Sequence, residues 1–453
     1  MGSERQYIDL YQQAKELICS HAPESMNSVR DEAFSDFCRL GFPSRKVERY
    51  KYTDIDKLFA PDYGLNLSRI EVAADPYEAF RCDVPNLSTN LYFVVNDAFY
   101  THALPKAPLP EGVVVGSMRE HPDLVARYYS RLARTADDAV TALNTMLAQD
   151  GLLVYVPRGV RVERAIQVIN ILKNPLRIDP ERADGGGLMV NRRVLIVLEE
   201  GAEAKMLFCD HAADDRPFLA TQVIEAYVGD GASLDLYCLE ETHSKNVRVS
   251  NVYIDQQCDS RVNHNVITLH NGITRNKLDL TLSAPGAECG LGGCVIADKQ
   301  QFVDNNTLVT HRVPHCTSNE LYKYVLDGQA TGAFAGRVLV EHGAQQTVSQ
   351  MTNQNLTATA DARMYTQPML EIYADDVKCA HGSTVGQLND AALFYMQQRG
   401  ISLAEARLLL QNAFICEVVD KMQLSPLRER LHYLVEKRFR GELSRCEGCR
   451  MCK

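Results

Sequence analysis

The sequence predicts a mainly β chain, wound as a parallel β-helix and flanked by helical segments. Three observations predict it. Between residues 91 and 388, short segments rich in β-branched and other apolar residues recur at about twenty to thirty residues. Each is strand-length and bounded by Gly, Asp or Asn turns. Gly201-Ala202 and Gly231-Ala232 each join two such strands, as at a corner where a solenoid folds back. A sandwich or a barrel also accommodates many short strands, so both stay open on pattern alone. The recurrence favours a solenoid, whose coils bury their faces only by stacking.

The elements follow in order. Residues 1–90 read as an N-terminal helical domain. "YIDLYQQAKELICSHA" places Ile8, Leu10, Tyr11, Ala14, Leu17 and Ile18 at helical spacing. "SVRDEAFSDFCRLGFPS" predicts a second helix, with Ser28 as N-cap and a stop at Gly41 and Pro43. "SRKVERYKYTDIDKLF" reads as a surface helix and loop. Within 91–388 one long helical stretch interrupts the strands, near 121–149. Residues 389–453 are helical again. One helix opens at Asn389 and closes at Gly400, and the next opens on a Ser402-x-x-Glu405 capping box. The last has Ser425 at its N-cap, Pro426 at N1 and Gly441 beyond its end. Its apolar face is Leu427, Leu431, Leu434, Val435 and Phe439, on a terminal module well placed to dock on a partner.

Composition removes several function classes. A formal net charge of -10 disfavours non-specific binding to nucleic acid or anionic membrane. The N-terminus lacks a signal-peptide core, and no apolar run approaches the roughly 18 residues of a membrane span. The expected location is the cytoplasm. There are fourteen cysteines. Most are scattered within apolar segments, as Cys209 and Cys238 are, and read as buried small hydrophobes. No phosphate-cradling Gly-x-x-x-x-Gly-Lys-Ser/Thr occurs. "CGLGGC" (Cys289 to Cys294) lacks a following helix and reads as a tight β-turn.

Three clusters carry metal-type donors. "HRVPHC" gathers His311, His315 and Cys316, although Pro314 argues against a helical pair. In "DDVKCAHG", Cys379 and His381 are two apart, so a strand points both to one side. Thiolate and imidazole suit an iron–sulfur cluster or zinc, but two ligands do not complete a site. The tail "CEGCRMCK" is the densest. Cys446, Cys449 and Cys452 would hold a metal with one outside ligand. A redox dithiol and an exposed appendage are the competing readings of that tail.

At this point the residues carry a resemblance. "LYKYVLDGQATGAFAGRVLVEHGAQQTVSQMTNQNL" and "QPMLEIYADDVKCAHGSTVGQLNDAALFYMQQRGIS" resemble the SufB/SufD family of iron–sulfur cluster assembly proteins. "DDVKCAHGSTVGQL" and the N-terminal "FPSRKVERYKYTDI" are similar to its SufD branch. "NLTATADARMYTQPMLEI" departs from the family's more aliphatic run, and the three-cysteine tail is not a family feature. The resemblance implies a right-handed parallel β-helix between N- and C-terminal helical domains. It implies a non-catalytic scaffold subunit whose β-helix pairs with a SufB-like subunit and whose C-terminal helices dock a SufC-like ATPase. It maps the family's implicated histidine onto His381, beside Cys379. A transient cluster would form there at the SufB interface, with no cofactor held stably. The competing class is a stand-alone metal- or thiol-binding or redox protein using the tail. A carbohydrate-active enzyme built on Asp375-Asp376 fits poorly, because adjacent strand residues face opposite ways. An unpaired strand edge would also allow a homodimer of the isolated chain.

Overall fold

Strand-forming segments here pair with the segment two along, not the next one. The computed structural model describes residues 2–70, 84, 87–102, 107–174 and 187–442. From Leu188 to Gly386 the strands alternate between two parallel sheets, so two strands make one coil. Ile273 lies beside Phe302, and Phe302 beside Thr331, a repeat of 29 residues (302 − 273 and 331 − 302). This is the β-solenoid, and it sets aside the sandwich and the barrel.

The corners explain why the chain turns where it does. Between the first-sheet and second-sheet strand of successive coils stand Gly201, Gly231, Asp259, Gly286, His315 and Gln346. All have positive φ. The residue after each is small and buried: Ala202, Ala232, Ser260, Ala287, Cys316 and Thr347. The left-handed turn aims the backbone N–H at the next coil. Gly201 donates to the Asp230 carbonyl and Gly231 to that of Cys258, both at 2.7 Å. Asp259 donates to Pro285 and His315 to Gln345, both at 3.0 Å.

Both faces of each sheet are covered through most of the stack, and the outer faces open at the last coils. The lumen is filled by one continuous apolar cluster, from Tyr92 and Val154 to Met351. The helices Leu403–Asp420 and Ser425–Phe439 cover the outer face of the second sheet. Their Leu427, Leu431, Leu434 and Val435 pack among Tyr237, Leu239, Ile267 and Ile296. The helices Glu4–Ser20 and Arg30–Leu40 join Met189, Leu219 and Val249 of the first sheet in a further cluster. Strands buried on both faces show apolar runs without clean alternation.

Local expectations fared unevenly. Asn389 accepts from the N–H groups of Ala391 and Ala392, and Ser402 from that of Glu405, as capping residues should. Gly400 and Gly441 have positive φ beyond their helices. Ser28 does not cap the second long helix. It closes the short helix Glu24–Asn27, and Arg30–Leu40 starts after Val29. "CGLGGC" is not a turn but lies within the strand Glu288–Ala297. A Cβ on Gly293 would sit 2.0 Å from the Tyr322 ring, so the glycine makes room for an aromatic across the coils. The stretch near 121–149 is two helices, Pro122–Tyr128 and Ala139–Leu147. What breaks it is Glu225, which accepts from the N–H groups of Ser130, Leu132 and Ala133 at 2.7, 2.9 and 3.1 Å. Arg193 neutralises that carboxylate at 2.7 Å, both side chains being wholly buried.

The lumen also holds acids. Glu240 meets the Thr274 hydroxyl and Arg248, and Glu320 accepts from Thr307 at 2.8 Å. Burial pushes the Glu320 carboxyl up from its ordinary value to about 7. The folded chain therefore keeps Glu320 protonated where the unfolded chain ionises it, so stability falls as pH rises from about 4.5 to 7. Glu320→Gln removes that penalty. Its thermal stability should match the native chain near pH 4.5 and exceed it at pH 8, by on the order of 3 kcal/mol. Equal stability gain at both pH values, read by thermal unfolding, would contradict this.

Candidate functional site: the open end of the solenoid

The two ends of the solenoid differ. At the N-terminal end, each sheet finishes in a short antiparallel strand, Val114–Ser117 or Ala98–Phe99. At the other end each finishes in a ten-residue parallel strand, Arg363–Ile372 and Val377–Gly386. Each of these has one hydrogen-bonded neighbour, so each leaves one edge unpaired among the described residues.

Cys379 and His381 lie on the second of these strands. Ser349 is the register partner of Cys379, Met351 of His381 and Asn353 of Ser383. Ser349, Met351 and Asn353 are buried, so this column is the last layer of the lumen side. Cys379 is half-buried and packs against the lumen cluster. That burial raises its thiol pKa, and a hydrogen bond with the Ser349 backbone opposes the shift. His381 is exposed. Ser383 Oγ meets Thr366 Oγ1 at 2.7 Å and ties the two terminal strands together. The strand thus brings thiol and imidazole to one face, as the spacing predicted. Among the described residues no three His, Cys, Asp or Glu side chains are grouped to hold a metal ion. The pair is an incomplete donor set.

The other candidates separate. His311 is buried in the lumen with Nε2 at 2.9 Å from Ser318 Oγ, and burial lowers its pKa to about 4. His315 is an exposed corner residue, and Cys316 is the buried small residue behind it. Asp375 and Asp376 are exposed in the turn before the last strand. Cys446, Cys449 and Cys452 lie outside the described residues.

Around the open end the surface is apolar in places that sequence reading missed. Tyr365, Tyr373 and Val385 are exposed, and Phe394 and Tyr395 on the helix Asp390–Gln398 are more than half exposed. The available signal was "LFYM", four large apolar residues in a row with only Leu393 needed inside. A cleft of about 600 Å³ runs between Thr357–Ala360 of the last coils and the helical residues Leu393, Glu405 and Arg407.

The comparisons align with this layout. A model of the SufBD protein N-terminal region matches residues 1–168. A model of the SufBD core domain, of the SUF system for FeS cluster assembly, matches residues 181–414. The chain belongs to the SufBD family. An iron-sulfur cluster assembly SufBD family protein of Synechocystis is 26% identical over 413 residues, 88% of each chain. The iron-sulfur cluster assembly protein SufD of Escherichia coli is 26% identical over 412 residues, 89% of this chain and 90% of its own. SufD of Bacillus subtilis is 24% identical over 431 residues, 92% and 95% of the two chains. The SufBD core match spans most of the solenoid, including the strand that carries Cys379 and His381.

Because His381 is exposed, replacing it should not disturb the SufBD fold. His381→Ala is expected to unfold within about 0.5 kcal/mol of the native chain in a denaturant titration. A larger loss would mean that the imidazole is structural.

Proposed function

We propose that the chain is a SufD-like, non-catalytic scaffold subunit for iron–sulfur cluster assembly in the cytoplasm. Its open end pairs with a SufB-like β-solenoid, and Cys379 and His381 supply half of a shared ligand set for a nascent cluster. The cluster is cargo, formed and released, and not a resident cofactor. The observation that carries this reading is the terminal strand Val377–Gly386, which puts an incomplete Cys/His pair on a long unpaired parallel edge. An edge of that kind is a template for another chain's strand. A second solenoid laid on it continues the ladder and brings the missing donors alongside.

ATP hydrolysis belongs to a SufC-like partner docked on the C-terminal helices. Their apolar interior face is already spent on the second sheet, so the apolar surface left for docking is Phe394 and Tyr395 together with Leu403, Leu409 and Tyr433. A closing ATPase pair would pull on the helices and shift the solenoid seam between two arrangements, admitting iron and sulfur.

The edge can be blocked without touching the ligands. Thr384 and Gly386 turn their carbonyls inward to Asn355 and Thr357. Alternation therefore points the backbone of Val385 outward. Val385→Pro removes one outward donor and should abolish co-purification of a SufB-type subunit while the isolated chain keeps its melting temperature. Retained pairing would show that the edge is not the seam. In reconstitution with intact pairing, His381→Ala should lower the yield of assembled cluster several-fold, and wild-type yield would remove it from the ligand set. Deleting residues 445–453 should leave subunit pairing intact. Lost pairing would mean that the three tail thiols do more than this reading assigns them.

A further inference from the structure

The segment Glu48–Thr53 read as a surface helix and loop, yet it crosses the outer face of the first sheet and touches four successive coils. Arg49 reaches Asp279 at 2.6 Å and Asn306 at 2.8 Å. Its carbonyl accepts from Arg275 at 2.6 Å. Thr53 donates to Asp304 at 2.5 Å, and Arg275 stacks over the Tyr50 ring at 4.3 Å. These contacts on the strands Ile273–Leu282 and Phe302–His311 are deep: Tyr50, Thr53, Arg275 and Asp304 are all buried. Toward the open end the same segment makes a second set. Glu48 pairs with Arg337 on the strand Thr331–Val340. Tyr52 donates to Gln367 at 3.1 Å and stacks on Tyr365, with ring centres 5.2 Å apart and planes at 20°. Gln367 and Tyr365 belong to the terminal strand Arg363–Ile372.

The two sets differ in kind. The first is buried and charge-neutralised. The second is side chain to side chain at the surface, where Tyr365 is 43% exposed. Such contacts are individually weak and separable. The segment is anchored on the side toward the inner coils and light on the side toward the open end. Beyond Thr53 it runs into the helix Ile55–Phe59, whose Phe59 carbonyl accepts from Tyr7 of the first helix at 2.8 Å. A continuous path of contacts therefore joins the N-terminal helices to the edge strand of the first sheet.

We propose that Glu48–Thr53 is a strap that holds the terminal strand Arg363–Ile372 in position for pairing and links occupancy of that edge to the N-terminal helices. The partner half of this inference rests on the assembly reading above; the strap half does not. Linkage is reciprocal: if the strap steadies the edge, a strand added to the edge steadies the strap.

Hydrogen exchange on the full-length chain tests both halves. In Tyr52→Ala, amides of residues 363–372 should exchange about threefold or more faster, the range a lost aromatic pair implies. Those of 218–256 should not change. Unchanged exchange at 363–372 overturns the strap. If Tyr52→Ala does not fold, Gln367→Ala removes the strap's hydrogen bond from the coil side and carries the same test. In the native chain co-expressed with a SufB-type subunit, residues 48–53 should become better protected. A subunit that protects 363–372 but leaves 48–53 unchanged overturns the linkage. Failure of any subunit to protect 363–372 counts against the assembly reading, and the free-chain result still decides the strap.

Discussion

One backbone conformation, repeated at six successive corners, governs this molecule. A left-handed residue at the corner turns the chain and sends its N–H to the coil above. Glycine takes the left-handed conformation without strain at Gly201, Gly231 and Gly286. Asp259, His315 and Gln346 do it with side chains attached, at a cost of about 1–3 kcal/mol each. The inter-coil hydrogen bond offsets part of that cost. The residue behind the corner must then be small, because it points into the stack. That requirement explains a cysteine at 316 without any chemistry.

Stacking at a fixed repeat also decides where chemistry can arise. Residues one coil apart become neighbours, so each lumen column is a line of side chains far apart in sequence. Within the stack such a column closes on itself, as Ser318 and Ser349 do by hydrogen bonding at 2.8 Å. Only at the last coil does a column end facing outward. Cys379 and His381 stand at that end, so their lack of further donors follows from position. The lumen, by contrast, buries its acids and histidines where nothing can reach them.

Much of this was legible. The caps at Asn389 and Ser402, the strand repeat and the shared face of Cys379 and His381 follow from local rules, and local rules need no partner; Ser425, read as an N-cap, is instead the first helical residue after Leu424. What escaped was set by distant contacts. Gly-Ala was read at two corners; Gly286-Ala287 is a third, and at the other three aspartate, histidine and glutamine take the same conformation under tertiary compulsion. The glycines of "CGLGGC" looked like a turn, and only the neighbouring coils reveal them as clearance, Gly293 for the Tyr322 ring and Gly290 and Gly292 for the Asn263 and Asn265 side chains. Glu225 breaks a helical stretch some ninety residues away, which no window of sequence records. The strap was hidden for the same reason: its charges looked solvated until Asp279 came beside Arg49 and Arg337 beside Glu48.

The unequal ends of the solenoid carry a consequence for assembly size. A stack of in-register coils with two open ends would add copies without limit and make a fibre. Here one end tapers into antiparallel strands of four and two residues, and the other presents two strands of ten. Among the described residues the ladder therefore offers long parallel edges at one end only. On the assembly reading proposed above, a body with a single matching end would extend it once and leave a short-stranded end facing outward on this side.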